Sequence, residues 1–356
     1  MKDYDAIIVG AGIIGLSLAI ALRKRSLGVL LLEKGEPGRE ASWAAGGMLA
    51  DCGLEIPLPL RELATASARM YPEFVHELQD ESGLKIDLRA EGTLLFLDDA
   101  CGQALKSAEE IAALEPQLAA NGRKALFLPE RCVDPRDLTL AAVAAARHWS
   151  VDFSSGDQVL SVEIVDGKAC GVRTNKTRFV AGTVINCAGA WAGQIEPYHF
   201  PTRPVKGQML CVAMPQNEFL RHVVRTPDVY LIPRSDGRLL IGATQEETGF
   251  DKQAVPEALQ KLRRAALDLC PRLTEARTLE AWAGLRPGTP DNLPILGETA
   301  TPGYFVATGH FRDGILLAPV TAKVMAELVA GGSPSFDLSP FSSLRFHDSS
   351  AQLELL

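Results

Sequence analysis

Cysteine is sparse and unpatterned in this sequence. The seven residues Cys52, Cys101, Cys132, Cys170, Cys187, Cys211 and Cys270 are odd in number, scattered in spacing and contain no C-x-x-C. That argues against a disulfide framework and a zinc site, leaves no metal centre to expect, and fits a reducing cytoplasmic compartment. An excess of positive charge is also missing: 36 Lys and Arg face 44 Asp and Glu, a net charge of −8. Such a chain offers no field to attract nucleic acid or anionic lipid. Its densest basic clusters, Arg23-Lys24-Arg25 and Arg263-Arg264, read as solvated helix faces. Long apolar runs are scarce too. Residues 6–22 (AIIVGAGIIGLSLAIAL) carry no charge, yet the run is glycine-broken and shorter than the roughly 20 residues of a membrane span. Asp3 and Asp5 flank Lys2 where a signal peptide needs a basic region. There are no internal repeats and no low-complexity linker. The expectation is a soluble protein with no membrane or nucleic-acid partner.

What is present is a globular composition, 47% apolar and 22% charged over 356 residues, enough for two domains. Residues 4–9 (YDAIIV) form a short β-branched run that reads as a buried strand, 13–25 as a helix and 28–32 (GVLLL) as a second strand. Helical periodicity follows at 59–81 and 102–115, with Pro116 just beyond, and an Ala-rich helix at 136–149. Alternation predicts strands at 158–164, 169–173, 178–186, 208–213, 229–233 and 238–243. Ser235-Asp236-Gly237 would turn the last two into a hairpin. A helix at 256–270, strands at 278–284 and 303–308, and a helix near 315–331 capped by Gly331-Gly332 complete the pattern, before a polar tail after Ser339 expected to be mobile. This mixture predicts a mixed α/β fold: a parallel nucleotide-binding sheet with an antiparallel sheet inserted into it.

Gly10-Ala11-Gly12-Ile13-Ile14-Gly15 is a G-x-G-x-x-G between the first strand and the first helix, and Glu33 ends the second strand. That context is what a dinucleotide fingerprint requires. Gly10 allows a tight turn, Gly12 a close approach to the pyrophosphate, and Gly15 close packing of the helix. Free N–H groups and the helix dipole then favour the phosphates, and Glu33 would accept from ribose hydroxyls. The fingerprint does not choose between NAD and FAD. The small-residue stretch Ala41-Ser42-Trp43-Ala44-Ala45-Gly46-Gly47-Met48 that follows would let backbone lie against a bulky flat ligand.

Three more segments sharpen the reading: Val184-Ile185-Asn186-Cys187-Ala188-Gly189-Ala190-Trp191, Pro204-Val205-Lys206-Gly207-Gln208, and the pair running from Trp282 through Gly284-Leu285-Arg286-Pro287-Gly288 to Asp291 and from Gly309 through His310-Phe311-Arg312-Asp313-Gly314 to Pro319. With the fingerprint and AAGGM, these resemble the FAD-dependent amine and amino-acid oxidases of the D-amino-acid oxidase type, from about residue 4 to about residue 335. Within that family the similarity is greatest to the thiamine-pathway glycine oxidases. The resemblance implies a Rossmann-type FAD-binding domain (1–85, 134–204 and 286–345) with an inserted antiparallel-sheet substrate domain (86–133 and 205–285), glutathione-reductase-like. It also implies oxidation of glycine or another small amino acid or amine by hydride transfer to flavin, with dioxygen as acceptor. The products would be imine and hydrogen peroxide, and the imine would feed thiazole assembly or hydrolyse. Related enzymes are often homotetramers.

Carried over position by position, the resemblance places Arg286 on the substrate carboxylate, Arg312 beside flavin and substrate, and the Tyr230 hydroxyl on the substrate. A planar guanidinium suits a carboxylate through two parallel charge-assisted bonds. Cofactor contacts are expected from the fingerprint with Glu33 and Lys34, from Ala41, Ser42, Gly46, Gly47 and Met48, from Val159, and from His310, Phe311, Arg312, Asp313, Gly314, Ile315 and Leu316. The start of the last helix would favour negative charge on the reduced ring. His310 reads as flavin-contacting or structural, because hydride transfer from a neutral amine needs no base. Lys206 fits equally a place near the ring and one on the surface. The sequence departs from the family twice. PGTPDNLPILG lacks the cysteine that covalent relatives use, so FAD is expected to be non-covalent. Gln245, followed by Glu246 and Glu247, stands where the glycine-oxidising pattern has an apolar residue near the substrate α-carbon, which leaves the substrate open. A D-amino-acid dehydrogenase or sarcosine-oxidase-like enzyme with another electron acceptor, a flavin module acting on transfer RNA and a non-catalytic FAD protein are the alternative functions; the acidic charge counts against RNA, and Arg286 with Arg312 against a non-catalytic role.

Overall fold

The computed structural model describes residues 4–52, 56–97, 104–119, 123–214 and 219–346. Lys2, Asp3, Cys101, the start of the expected 102–115 helix and residues 347–356 lie outside that set.

The first strand, Tyr4–Val9, shows why the chain opens as a parallel sheet. It pairs in parallel with Val29–Glu33 on one side and Arg178–Asn186 on the other. Asp152–Ser155 extends the sheet beyond Val29–Glu33, and Tyr304–Thr308 extends it beyond Arg178–Asn186. Successive side chains point to opposite faces. Ala6 and Ile8 join Leu31, Ile185 and the helices Ile13–Lys24, Arg61–Ser82, Pro135–His148 and Gly314–Val329 in one core. Ile7 and Val9 join Leu30, Leu32, Val184 and Val306 in a second core on the other face. Both faces are covered, so the strands read as continuous apolar runs rather than alternating ones. The second core is roofed by an antiparallel meander of Val159–Val165, Lys168–Thr174 and the start of Arg178–Asn186.

A second sheet has eight strands, drawn mainly from residues 93–128 and 203–288. Its long members are Arg203–Ala213 and Arg277–Gly288, which pair antiparallel along most of their length. These two strands run through the expected crossings at 204/205 and 285/286. Tyr230–Pro233 and Arg238–Gly242 pair antiparallel across a turn where Gly237 takes φ +86°, the conformation that the Ser-Asp-Gly turn requires. Pro256–Leu269 packs its apolar stripe, Leu262, Ala266 and Leu269, on this sheet.

Two expected elements change. The helix over 102–115 is a strand, Leu105–Lys106, and a shorter helix, Ala108–Leu114, started by a capping box between Ser107 and Glu110. The tail after Ser339 is docked through Phe346: Phe341 is buried, and Arg345 pairs with Asp291 at 2.8 Å. Its aromatic residues give it a reason to pack that a count of polar residues conceals. Among the described residues no helix is long and apolar enough to cross a membrane.

Candidate active site

One deep cleft lies between the two sheets, and the fingerprint forms one end of it. Gly10 sits at φ +103°, where a Cβ would lie 2.5 Å from the carbonyl oxygen of Cys187. A side chain there would push the turn off the end of Arg178–Asn186. Gly12 caps the first helix, which has no side-chain cap and no acidic residue in its first turn. That end is built to receive an anion. Gly15 lies off the cleft lining; a Cβ there would be 2.0 Å from the Gly10 carbonyl oxygen, so its role is helix packing against the turn. Glu33 holds the turn together. Its Oε2 accepts from Ala11 N–H and its Oε1 from Gly35 N–H, each at 2.9 Å. Ser42 Oγ accepts from Ile13 N–H at 2.9 Å, which ties the AAGGM segment to the start of the helix.

The cleft is lined by Gly10, Gly12, Ile13, Ile14, Glu33, Lys34, Ala41, Ser42, Gly46, Gly47, Met48 and Val159 at this end. His310, Phe311, Arg312, Gly314 and Ile315 line it further in, with Tyr230, Gln245 and Arg286. Thus seventeen of the twenty expected cofactor residues and all four expected substrate residues meet in one cleft; Gly15, Asp313 and Leu316 do not line it. Leu316 is instead buried, its carbonyl accepting from Ser67 Oγ at 2.6 Å, while the Ile315 carbonyl accepts from Tyr71 Oη at 2.6 Å. These bonds fix the first turn of the last helix beneath the cleft.

The distant motifs are joined by short hydrogen bonds. Phe311 N–H donates to the Pro287 carbonyl at 3.0 Å, and Thr308 Oγ1 to the Gly189 carbonyl at 3.0 Å. Trp282 Nε1 donates to the Ala44 carbonyl at 3.0 Å. Arg286 Nη1 donates to the carbonyls of Thr244 at 3.1 Å and Lys206 at 3.4 Å, with the Tyr230 hydroxyl in hydrogen-bonding reach of the guanidinium. Burial pushes the Tyr230 hydroxyl up, and Arg286 and Arg312 partly offset that. Burial also pushes His310 down to about 3, so its ring is neutral near pH 7. Its Nε2 lies 3.1 Å from Thr321 Oγ1.

Other residues stand where the sequence did not settle them. Lys206 is neither at the surface nor on the cleft lining: it is 1% exposed, and its ammonium pairs with Asp251 at 2.8 Å. Gln245 lines the cleft at its solvent-exposed rim. Ala188, Gly189, Ala190 and Trp191 also line the cleft, and the CAGAW motif was the signal for them. Lys34 places its ammonium 3.1 Å from the centre of the Trp191 ring. Arg234, buried, donates from Nη2 to the Gly46 carbonyl at 2.7 Å and braces the glycine pair; nothing in its local sequence marks that role. Cys187 lines the cleft, and burial pushes its thiol up. Among the described residues no group of three or more His, Cys, Asp or Glu is placed to hold a metal ion.

The profile of the DAO family, described as FAD dependent oxidoreductase, matches residues 5–328. Glycine oxidase of Pseudomonas aeruginosa is 34% identical across 94% of this chain and 97% of its own length. The bifunctional protein ThiO/ThiG of Synechocystis sp. is 34% identical across 96% of this chain, which spans 54% of that longer protein. The crystal structure of glycine oxidase from Geobacillus kaustophilus superposes with a TM-score of 0.92 at 32% identity, covering 97% of this chain and 99% of the other.

Proposed function

The chain belongs to the DAO family of FAD-dependent oxidoreductases, and we propose that it oxidises glycine or another small amino acid or amine to the imine, with dioxygen as acceptor and hydrogen peroxide as co-product. The cleft fits the family's cofactor. A Cβ at Gly10, Gly46 or Gly47 would strike Cys187, Ile232 or Val133 within 3 Å, so the bare backbone of these cleft-lining segments packs closely on the protein behind it and presents no side chain at these positions to a ring or a pyrophosphate. Bound FAD supplies the oxidant that takes up a hydride from the substrate Cα. We propose that residues 1–85, 134–204 and 286–345 hold it, and that 86–133 and 205–285 complete the substrate side. Non-covalent binding is part of this reading: the Cys187 thiol is buried with its ionisation suppressed, which is the wrong state for attachment to flavin.

The observation that carries the reading is the fixed Arg286. Two carbonyls engage its Nη1, which leaves the rest of the fork to take a carboxylate in two parallel bonds. Arg312 and the Tyr230 hydroxyl stand beside it on the same lining. A carboxylate held there orients the α-carbon toward the ring and lets the amine enter neutral. Holding reactants in such a geometry supplies a large part of a rate enhancement. His310, neutral and bonded to Thr321, is not needed as a base. The rim position of Gln245 supports a small substrate with room for a polar substituent. The thiazole step of thiamine synthesis is the proposed destination of the imine; the family branch and the ThiO/ThiG relative support it. The test is a substrate panel of glycine, sarcosine and small D-amino acids with peroxide detection. Turnover of at least one supports the reading, and none of them being turned over overturns it.

A further inference from the structure

Gly207 lies inside the strand Arg203–Ala213, opposite Gly284 of Arg277–Gly288 and two residues before the Met209–Ala213 stretch that pairs with Arg238–Gly242. Glycine is a poor residue for a central strand, since it adds backbone entropy and packs nothing. Its usual excuse, a left-handed φ, does not apply: Gly207 is not among the glycines with positive φ. Any L-residue would fit the backbone there. The need comes from one neighbour. A Cβ on Gly207 would stand 2.4 Å from Nη1 and Nη2 of Arg286 and 2.6 Å from its Cζ. Nη1 and Nη2 of the guanidinium therefore abut the bare Cα of Gly207, and from that seat Nη1 reaches the Lys206 and Thr244 carbonyls.

From this we infer that Gly207 is a positioning residue for the substrate: it creates the seat that sets where Arg286 meets the carboxylate. The inference rests on the reading of Arg286 as carboxylate anchor. The atoms in the way belong to the far end of a flexible side chain, not to backbone. An added methyl is accommodated by moving the guanidinium, at little cost to the fold. The substitution Gly207→Ala thus separates two effects that usually travel together. The strand gains a better strand residue, while the anchor loses its place.

The experiment compares four holoenzymes: wild type, G207A, R286A and the double variant. Steady-state glycine oxidation, acetate titration followed by the flavin spectrum, the FAD content and Tm are measured for each. The expected result for G207A is a rise of about tenfold or more in the KM for glycine and in the Kd for acetate, with kcat changed by less than about threefold. Its FAD content and Tm stay at or above the wild-type values. In the R286A background the same substitution changes the KM by less than about twofold, because its target is gone. A lowered Tm with unchanged KM makes Gly207 a purely structural glycine and overturns the inference. So does an equal KM effect with and without Arg286, since Gly207 would then act by another route. If R286A itself leaves the KM and acetate binding unaltered, the anchor reading falls first, and the seat falls with it.

Discussion

Glu33 offers the sharpest separation between holding the turn and holding the ligand. Both of its carboxylate oxygens are engaged in the protein itself, with Ala11 N–H and Gly35 N–H, each at 2.9 Å. The residue is 8% exposed and lines the cleft. Glu33→Gln keeps the shape and removes the charge. One amide oxygen still accepts, but the amide NH2 must face the other backbone donor. A hydrogen bond to a charged group contributes about 1.5–3 kcal/mol, and a buried donor left unpaired costs a similar amount. A net loss of about 2–3 kcal/mol follows, shared between the glycine-rich turn and any ribose hydroxyl that the carboxylate accepts from. With about 2–4 °C per kcal/mol for a domain of this type, the apo-protein Tm falls by about 5 °C. The FAD Kd rises about tenfold, at about 1.4 kcal/mol per decade. The assays are thermal unfolding of flavin-stripped protein and quenching of flavin fluorescence on titration. An unchanged apo Tm with weakened FAD binding would show that the two internal bonds carry nothing. No change in either quantity refutes the whole account of Glu33.

Two further perturbations bear on the inner end of the cleft. Arg286→Ala removes a bidentate carboxylate partner and raises the KM for amino acids by about a hundredfold with FAD retained; a colourless variant would make Arg286 a structural residue instead. Burial keeps His310 neutral down to about 3, whereas an unfolded histidine titrates near 6.5. Between those values the unfolded chain takes up a proton that the folded one refuses, so stability drops as pH falls through this window, by up to about 1.4 kcal/mol per pH unit. His310→Asn abolishes that share, and its denaturant-unfolding free energy drops by about 2 kcal/mol less than that of the wild type between pH 7 and pH 5; parallel curves contradict the neutral histidine.

The parts of the fold legible in the sequence are those with a local cause. The β-α-β opening follows from a short apolar run, a glycine turn and a helix period, and Tyr4–Val9 alternates between two cores as a strand buried on both faces must. The hairpin of Tyr230–Pro233 and Arg238–Gly242 follows from its turn. The short strands Thr93–Phe96, Ala125–Leu128 and Val223–Arg225 escaped, because three or four residues show no clear period and their partners are remote: Thr93 pairs with Leu128 and with Val223. Lys206 escaped for a similar reason. Its sequence position fits the ring side and the surface equally, and the partner that buries its ammonium, Asp251, lies far along the chain. At the site, residue types and motifs named the groups that line the cleft. The links between them were not readable: Arg234 bracing Gly46, and Arg286 seated on Gly207, are tertiary contacts with no local pattern.

The central claim is that this cleft, loaded with FAD, draws a hydride from a small amino acid held by Arg286. Anaerobic addition of glycine to the purified yellow holoenzyme measures that step without dependence on dioxygen. The account predicts bleaching of the flavin that saturates with glycine concentration, with the half-saturating concentration greatly increased in R286A. A flavin that stays oxidised with glycine and with every other small amino acid or amine tried contradicts it.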